Sequence, residues 1–274
     1  MTEIQVFVFA IVQAVTELFP VSSVAHGVLT PYLFGWNLDP EFLKLHFLPF
    51  IVMLHLGTAS ALLAFFWRDW LNILVGLFDK QNKVARRTFV LIVVATIPAA
   101  VIGFLAEKAL RGIFSSVTVA AAFLIANGFI LFVGERLRGS GTREIEDLSL
   151  GEAVAIGLSQ SIALVPGFSR SGASMVAGFW VGLRHEAAAH FSMLLATPII
   201  AGAGVLEIPK LVHEADAQVL HSALIGGAAA AVFAFATVWM LMRWFRTHEV
   251  NALRPFAVYC WVLGGAVLWR IMMG

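Results

Sequence analysis

Six stretches of the chain, residues 46–67, 89–105, 117–133, 187–208, 220–242 and 255–272, carry between them only Glu207 and Arg270 as charged side chains. Each is about long enough to cross the ~30 Å hydrocarbon layer of a bilayer as one helix. Lipid offers no partner to an unpaired backbone amide, so a chain patterned this way folds as a bundle of spanning helices. Composition agrees, with 60% hydrophobic and 13% charged residues where soluble domains hold about a quarter charged. The net charge of +1 leaves no basic surface to neutralise a phosphate backbone, and no nucleic-acid partner is expected. Cys260 is the single cysteine, which excludes an intramolecular disulfide and a thiolate metal site. The first apolar run follows the acidic Glu3 and leads into Glu17, so it is expected to stay in the mature protein rather than serve as a cleaved signal.

Two further apolar segments, residues 4–34 and 152–183, are broken in the middle, by Phe19-Pro20-Val21-Ser22-Ser23 and by Val165-Pro166-Gly167-Phe168-Ser169-Arg170. Each half is too short to span. Irregular backbone at membrane depth is tolerated where it lines a cavity, and paired broken segments mark the site of inverted-repeat membrane proteins. The expected fold is therefore an all-α integral membrane protein: six transmembrane helices plus two re-entrant hairpins, in an inverted-topology repeat with halves near 1–145 and 146–274. A faint echo supports the repeat: His46-Phe47 leads into Gly57-Thr58-Ala59, and His190-Phe191 into Ala201-Gly202-Ala203-Gly204.

Orientation follows from loop lysines and arginines. Arg68, Lys80, Lys83, Arg86, Arg87, Arg136, Arg138, Arg143, Arg184, Arg243, Arg246 and Arg254 fall on one side, and Lys44, Lys108, Arg111, Lys210 and Arg270 on the other. The richer side is expected in the cytoplasm, with both termini outside and the hairpins entering from opposite faces. Trp67, Trp70, Trp244 and Trp269 are placed like interfacial belt residues.

The broken segments carry the chemistry. Arg170 sits among Ser169, Ser171 and Ser174 just after Gly167. A guanidinium at membrane depth is costly, and its planar fork of donors matches phosphate oxygens. In the first break Gln13 and Glu17 are four residues apart and share one helix face, so they can converge on one ligand or metal. Ser22, Ser23 and His26 follow Pro20; a serine there is a plausible helix cap whose backbone donors face an anion. Glu17, the serines and His26 also suit nucleophile, base and orienting roles. The clusters Glu107/Lys108/Arg111, Glu144/Glu146/Asp147 and His213/Glu214/Asp216 read as solvated loops, and His46, His55, His190 and Asn127 as helix bridges or cavity lining.

These motifs resemble those of the undecaprenyl-diphosphate phosphatases of bacterial membranes, also called bacitracin-resistance proteins. One family signature, Glu/Gln-x-x-x-Glu before Pro-Val-Ser-Ser and a histidine, is matched by Gln13, Glu17, Pro20, Val21, Ser22, Ser23 and His26. The other, Pro-Gly-x-Ser-Arg-Ser-x-x-Thr, is matched at Pro166, Gly167, Ser169, Arg170 and Ser171, with Ser174 in place of threonine. Val24-Ala25 stands where Thr-Gly is common, His55 where glutamine is, and Gln13 is the less usual choice.

The resemblance implies hydrolysis of the C55 isoprenyl diphosphate to the monophosphate and inorganic phosphate, recycling the lipid carrier for cell-wall synthesis and conferring bacitracin resistance. It implies a divalent cation, Mg²⁺ or Ca²⁺, handled by Glu17 with Gln13. It assigns the nucleophile to Ser23 or His26, and the diphosphate clamp to Arg170, with Ser22, Gly167, Ser169, Ser171 and Ser174 lining the substrate. It also implies a bacterial inner membrane location, a site opening to the periplasmic face, and a homodimer. A lipid transporter or flippase is the competing reading of the same architecture; it needs two access states but no nucleophile.

Overall fold

The computed structural model describes residues 1–38, 42–79, 81–111, 116–137, 141–214, 217–248 and 250–273. Lys80, Arg138 and Asp216, and the side chains of Lys44, Glu107, Lys108, Arg111, Lys210, His213 and Glu214, lie outside this description. The described chain is helical, with no strand: α1 (Glu3–Leu18), α2 (Ser23–Phe34), α3 (Phe47–Phe65), α4 (Trp67–Phe78), α5 (Lys83–Arg111), α6 (Val117–Arg136), α7 (Leu150–Ser161), α8 (Arg170–Trp180), α9 (His185–Glu214), α10 (Ala217–Thr247) and α11 (Arg254–Met273). Short π and 3₁₀ turns lie at Phe42–His46, Ile145–Asp147 and Ile162–Leu164.

Helices α3, α5, α6, α9, α10 and α11 are long and apolar enough to cross a membrane. They coincide with the six expected stretches and mostly extend past them into the polar flanks. The chain is a multi-pass membrane protein. Helices α1, α2, α7 and α8 have 16, 12, 12 and 11 residues, and none could span alone. One element was not foreseen. The segment after Trp67, read from its charges as a loop, forms α4, which exposes Leu71, Leu74, Val75 and Phe78 while burying Ile73 and Gly76. Such a face, with Arg68 and Asp69 on the chain beside it, suits an interfacial helix.

Packing joins the two halves of the sequence. Helix α3 lies against α10 and α9, α6 against α11, α1 against α10, and α7 against α5. The α3–α10 contact is backbone-close, because a Cβ on Gly57 would stand 2.0 Å from the Gly227 carbonyl oxygen. The small-residue run at 226–231 therefore finds its partner helix within the same chain, through Gly226 against Leu54 and Gly227 against Met53.

Candidate active site

Both broken segments are built by capping. At the first, α1 runs to Leu18, Phe19 turns extended, and Ser22 caps α2 by accepting from the Ala25 amide. Ser22 adopts φ 67°, a conformation costly for a residue with a Cβ. At the second, Ser159 and Ser161 hydroxyls bond back to the carbonyls of Ile156 and Gly157. Such back-bonding competes with the α-helical ladder, and the chain tightens to a 3₁₀ turn before Ser169 caps α8 through the Gly172 amide. Gly167 takes φ 116°, and a Cβ there would lie 2.4 Å from that of Phe123.

The two tips bond to each other. The Gly167 amide donates to Ser22 Oγ at 3.3 Å and the Ser171 hydroxyl to the Phe19 carbonyl at 3.3 Å. Asn127 of α6 sits between them, donating to the Pro20 carbonyl and accepting from the Ser169 amide, each at 2.9 Å.

Glu17 is the hub. Its Oε2 accepts from Ser23 Oγ at 2.5 Å and lies 3.1 Å from His55 Nε2, while its Oε1 pairs with Arg170 Nη2 at 3.3 Å. Gln13 Nε2 reaches the same carboxylate at 3.5 Å, and His55 Nε2 stands 3.3 Å from Ser23 Oγ. Arg170 is held by the Ser192 carbonyl at 3.0 Å and by Glu17, but its buried Nε has no acceptor among the described residues. An orphaned guanidinium donor beside a hydroxyl and two helix N-termini is an arrangement that an anion completes.

This cluster lines a cavity of about 590 Å³. Glu17, Ser22, Ser23, Ser169 and Arg170 line it, with Thr16, His55, Gln160 and Glu207. The rest of the wall is apolar, from Ile51 and Val52 of α3, Ala99, Gly103 and Phe104 of α5, and Ile200, Ala203 and Leu206 of α9. Phe104 and Leu206 are exposed on the outside of the bundle.

The other expected site residues lie elsewhere. Ser174 bonds to the Arg170 carbonyl and to Ser192 Oγ, each at 2.8 Å, joining α8 to α9. Ser171 accompanies Ser169 Oγ at 3.0 Å, and Gly167 shapes the tip. His26 is not among the lining residues; it contacts the Ser22 carbonyl and Tyr259. His190 pairs with Asp69 at 3.4 Å in a second, separate cavity. Sequence reasoning gave His55 no special weight, because nothing local to its apolar run signals that α3 turns it toward Glu17. Gln160 was missed, although it repeats Gln13 in the second broken segment.

The oxygen donors Glu17, Gln13 and Ser23 suit a hard cation whose shell is completed by phosphate oxygens. Among the described residues no three His, Cys, Asp or Glu side chains gather as an all-protein metal site would require.

Fold and cavity together define a polytopic helical membrane protein with a cavity lined by a charged and hydroxyl cluster and by apolar helix faces. The chain belongs to the bacitracin resistance protein family: residues 6–266 match the family model described as Bacitracin resistance protein BacA. It is 50% identical over 264 residues to a protein of Oenococcus oeni named undecaprenyl-diphosphatase 2, covering 96% of this chain and 97% of that one. It is also 48% identical to the undecaprenyl-diphosphatase of Granulibacter bethesdensis, over 98% of this chain and 97% of the other, and 46% identical to that of Acidiphilium cryptum over all of both chains.

Proposed function

We propose that this protein hydrolyses undecaprenyl diphosphate to undecaprenyl phosphate and inorganic phosphate, with Ser23 as nucleophile. The observation that carries the reading is the short Ser23–Glu17 hydrogen bond, 2.5 Å, directly beside the Arg170 guanidinium. Ser23 Oγ attacks the terminal phosphorus as its proton passes to Glu17, and the bond between that phosphorus and the bridging oxygen breaks. The lipid monophosphate leaves and a phosphoserine remains; water then attacks it, releasing phosphate and returning the hydroxyl proton. Arg170 and the first-turn amides of α2 and α8 neutralise charge on the transferring oxygens, the main requirement of phosphoryl transfer. Ser22 and Ser169 hold those amides in place, and His55 steadies the carboxylate.

A divalent cation, Mg²⁺ or Ca²⁺, would be held by Glu17, Gln13 and the diphosphate oxygens, and would supply further charge neutralisation. The prenyl tail lies along the apolar wall between α3, α5 and α9 and leaves past Phe104 into lipid.

The architecture belongs to the same proposal. The two broken segments are re-entrant hairpins, and because the spans α3, α5 and α6 separate them, they enter from opposite faces as an inverted repeat. Matching capping boxes support this, Thr2 with Gln5 on α1 and Ser149 with Glu152 on α7. The arginine-rich loops favour a cytoplasmic location for themselves, hence both termini on the periplasmic side of the bacterial inner membrane; the site opens toward that side in this reading. We assign it to a homodimer on family resemblance alone.

The test is phosphate release from C55 isoprenyl diphosphate by purified protein in detergent, with and without chelator, beside Ser23→Ala and Glu17→Ala. Metal-dependent release that both variants lose supports the reading. No release by well-folded wild type would move the assignment to lipid transport.

A further inference from the structure

His26 is buried beside the candidate nucleophile yet is not among the residues lining the cavity. Its Nδ1 lies 2.7 Å from the Ser22 carbonyl oxygen. A carbonyl can only accept, so Nδ1 carries the ring proton, and the neutral ring's Nε2 is then an acceptor. The Tyr259 hydroxyl, 2.8 Å from Nε2, is accordingly the donor, and the two rings lie nearly parallel, 7° apart at 5.6 Å between centroids. Tyr259 comes from α11, far from both motifs in sequence.

The chain of bonds ends on a strained residue. Ser22 holds φ 67° and ψ 96°, a conformation that persists only where surroundings enforce it. Its carbonyl is gripped by His26 and its hydroxyl receives the Gly167 amide from the other tip. The next residue is Ser23, whose Oγ meets Glu17.

We propose that His26 and Tyr259 act as a positioning pair: Tyr259 O–H fixes the His26 tautomer, and His26 Nδ1–H holds the Ser22 carbonyl so that Ser23 presents its hydroxyl to Glu17. His26 then transfers no phosphoryl group. The inference rests on the proposed phosphatase reading for its kinetic arm only.

The two roles separate in one substitution series. An asparagine amide nitrogen can take the place of Nδ1, whereas a glutamine amide reaches only toward the place of Nε2. His26→Asn should therefore keep at least about tenfold more phosphate release than His26→Ala or His26→Gln, since only Asn restores the bond to Ser22. Tyr259→Phe should lower kcat by about tenfold with KM unchanged, and should add nothing in the His26→Asn background, where no ring nitrogen remains to be fixed. Asn as inactive as Ala and Gln, in proteins that elute and melt like wild type, would overturn the proposal in favour of a reacting imidazole. A second arm does not depend on activity: ¹⁵N-histidine spectra, with the His26 signal assigned by its loss in His26→Asn. An Nδ1–H tautomer whose Nε2 resonance moves in Tyr259→Phe supports the pair; an Nε2–H tautomer or an unmoved resonance refutes it. If wild type releases no phosphate, the phosphatase reading falls while this arm still decides the pair.

Discussion

The two broken segments share a framework and divide the chemistry. The same separation in sequence divides Thr2 from Ser149, Gln5 from Glu152, Gln13 from Gln160 and Ser22 from Ser169. Both segments thus open on a capping box, carry a buried glutamine, and restart their second helix on a serine cap. At that spacing Glu17 faces Leu164, Ser23 faces Arg170 and His26 faces Ala173. The first segment holds the carboxylate and hydroxyl, the second the guanidinium. A cap needs only a side-chain oxygen at one position, so it tolerates any division of the reacting groups between the tips.

If that division is real, removing the second tip's charge should harm as much as removing the first tip's base. Arg170→Ala is expected to lower kcat for phosphate release by about 10³-fold or more, as for other arginines that stabilise a transferring phosphoryl group. Glu17→Gln should lose about 10²–10⁴-fold, the range of a general base. An Arg170→Ala enzyme that loses only substrate affinity, with kcat intact, would break the comparison by making the second tip a mere binding surface.

Asn127 tests whether the tips work as one unit, since it bonds Pro20 of one and Ser169 of the other. Asn127→Ala leaves a buried carbonyl and a buried amide unpaired, a cost of about 1–3 kcal/mol for each such group. The expected result is a lower melting temperature together with a kcat reduced about tenfold or more, measured on the same preparation. Loss of stability with kcat unchanged would mean that the tips are held in register by other contacts.

Backbone strain separates the tips in sign. Gly167→Ala puts a Cβ at φ 116° and against Phe123, which should destabilise by more than about 1 kcal/mol. Ser22→Gly relieves a positive φ worth roughly 1–3 kcal/mol but deletes the hydroxyl that receives the Gly167 amide. Its melting temperature should move far less than that of Gly167→Ala, and the opposite order would relocate the strain to the second tip.

Much of this was legible in the chain. The six spans followed from uncharged length, and the two breaks from proline, glycine and serine inside apolar runs. Grouping Glu17, Ser23 and Arg170 needed the idea that two breaks meet, which the pairing of broken segments in an inverted repeat supplied. What stayed hidden depends on helix rotation and long-range packing. His55 looks like any polar residue in an apolar run until α3 turns it toward Glu17. Asn127 lies in α6, remote in sequence from both tips, and Tyr259 in α11. The sequence pattern of His26 suited a reacting imidazole equally well; the Ser22 carbonyl at its Nδ1 and the Tyr259 hydroxyl at its Nε2 are the contacts that favour the proposed positioning role. Helix α4 hid because its charged residues suggested a loop while its apolar face faces outward.

The smallest effect lies at the caps. Gln5 and Glu152 occupy matching positions, but only Glu152 titrates. It receives two bonds from Arg143, at 2.7 and 3.0 Å, and the Ser149 amide at 2.7 Å. Those bonds, the Arg143 pair foremost, hold its carboxyl down to about 2 from an ordinary 4.5. A depressed folded-state value means stability that is fully present above about pH 4.5 and lost as pH falls toward 2. Arg143 and Glu152 are 34% and 28% exposed, so solvent screening limits the pair to below about 1 kcal/mol. Between pH 5 and 3, the hydrogen-exchange protection factor, taken against intrinsic exchange at each pH, should therefore fall at the start of α7 while that at the start of α1 holds. Glu152→Gln should abolish that pH dependence and leave a cap equivalent to that of α1. Equal acid sensitivity at both helix starts would show that the two caps do not differ in the way their sequences imply.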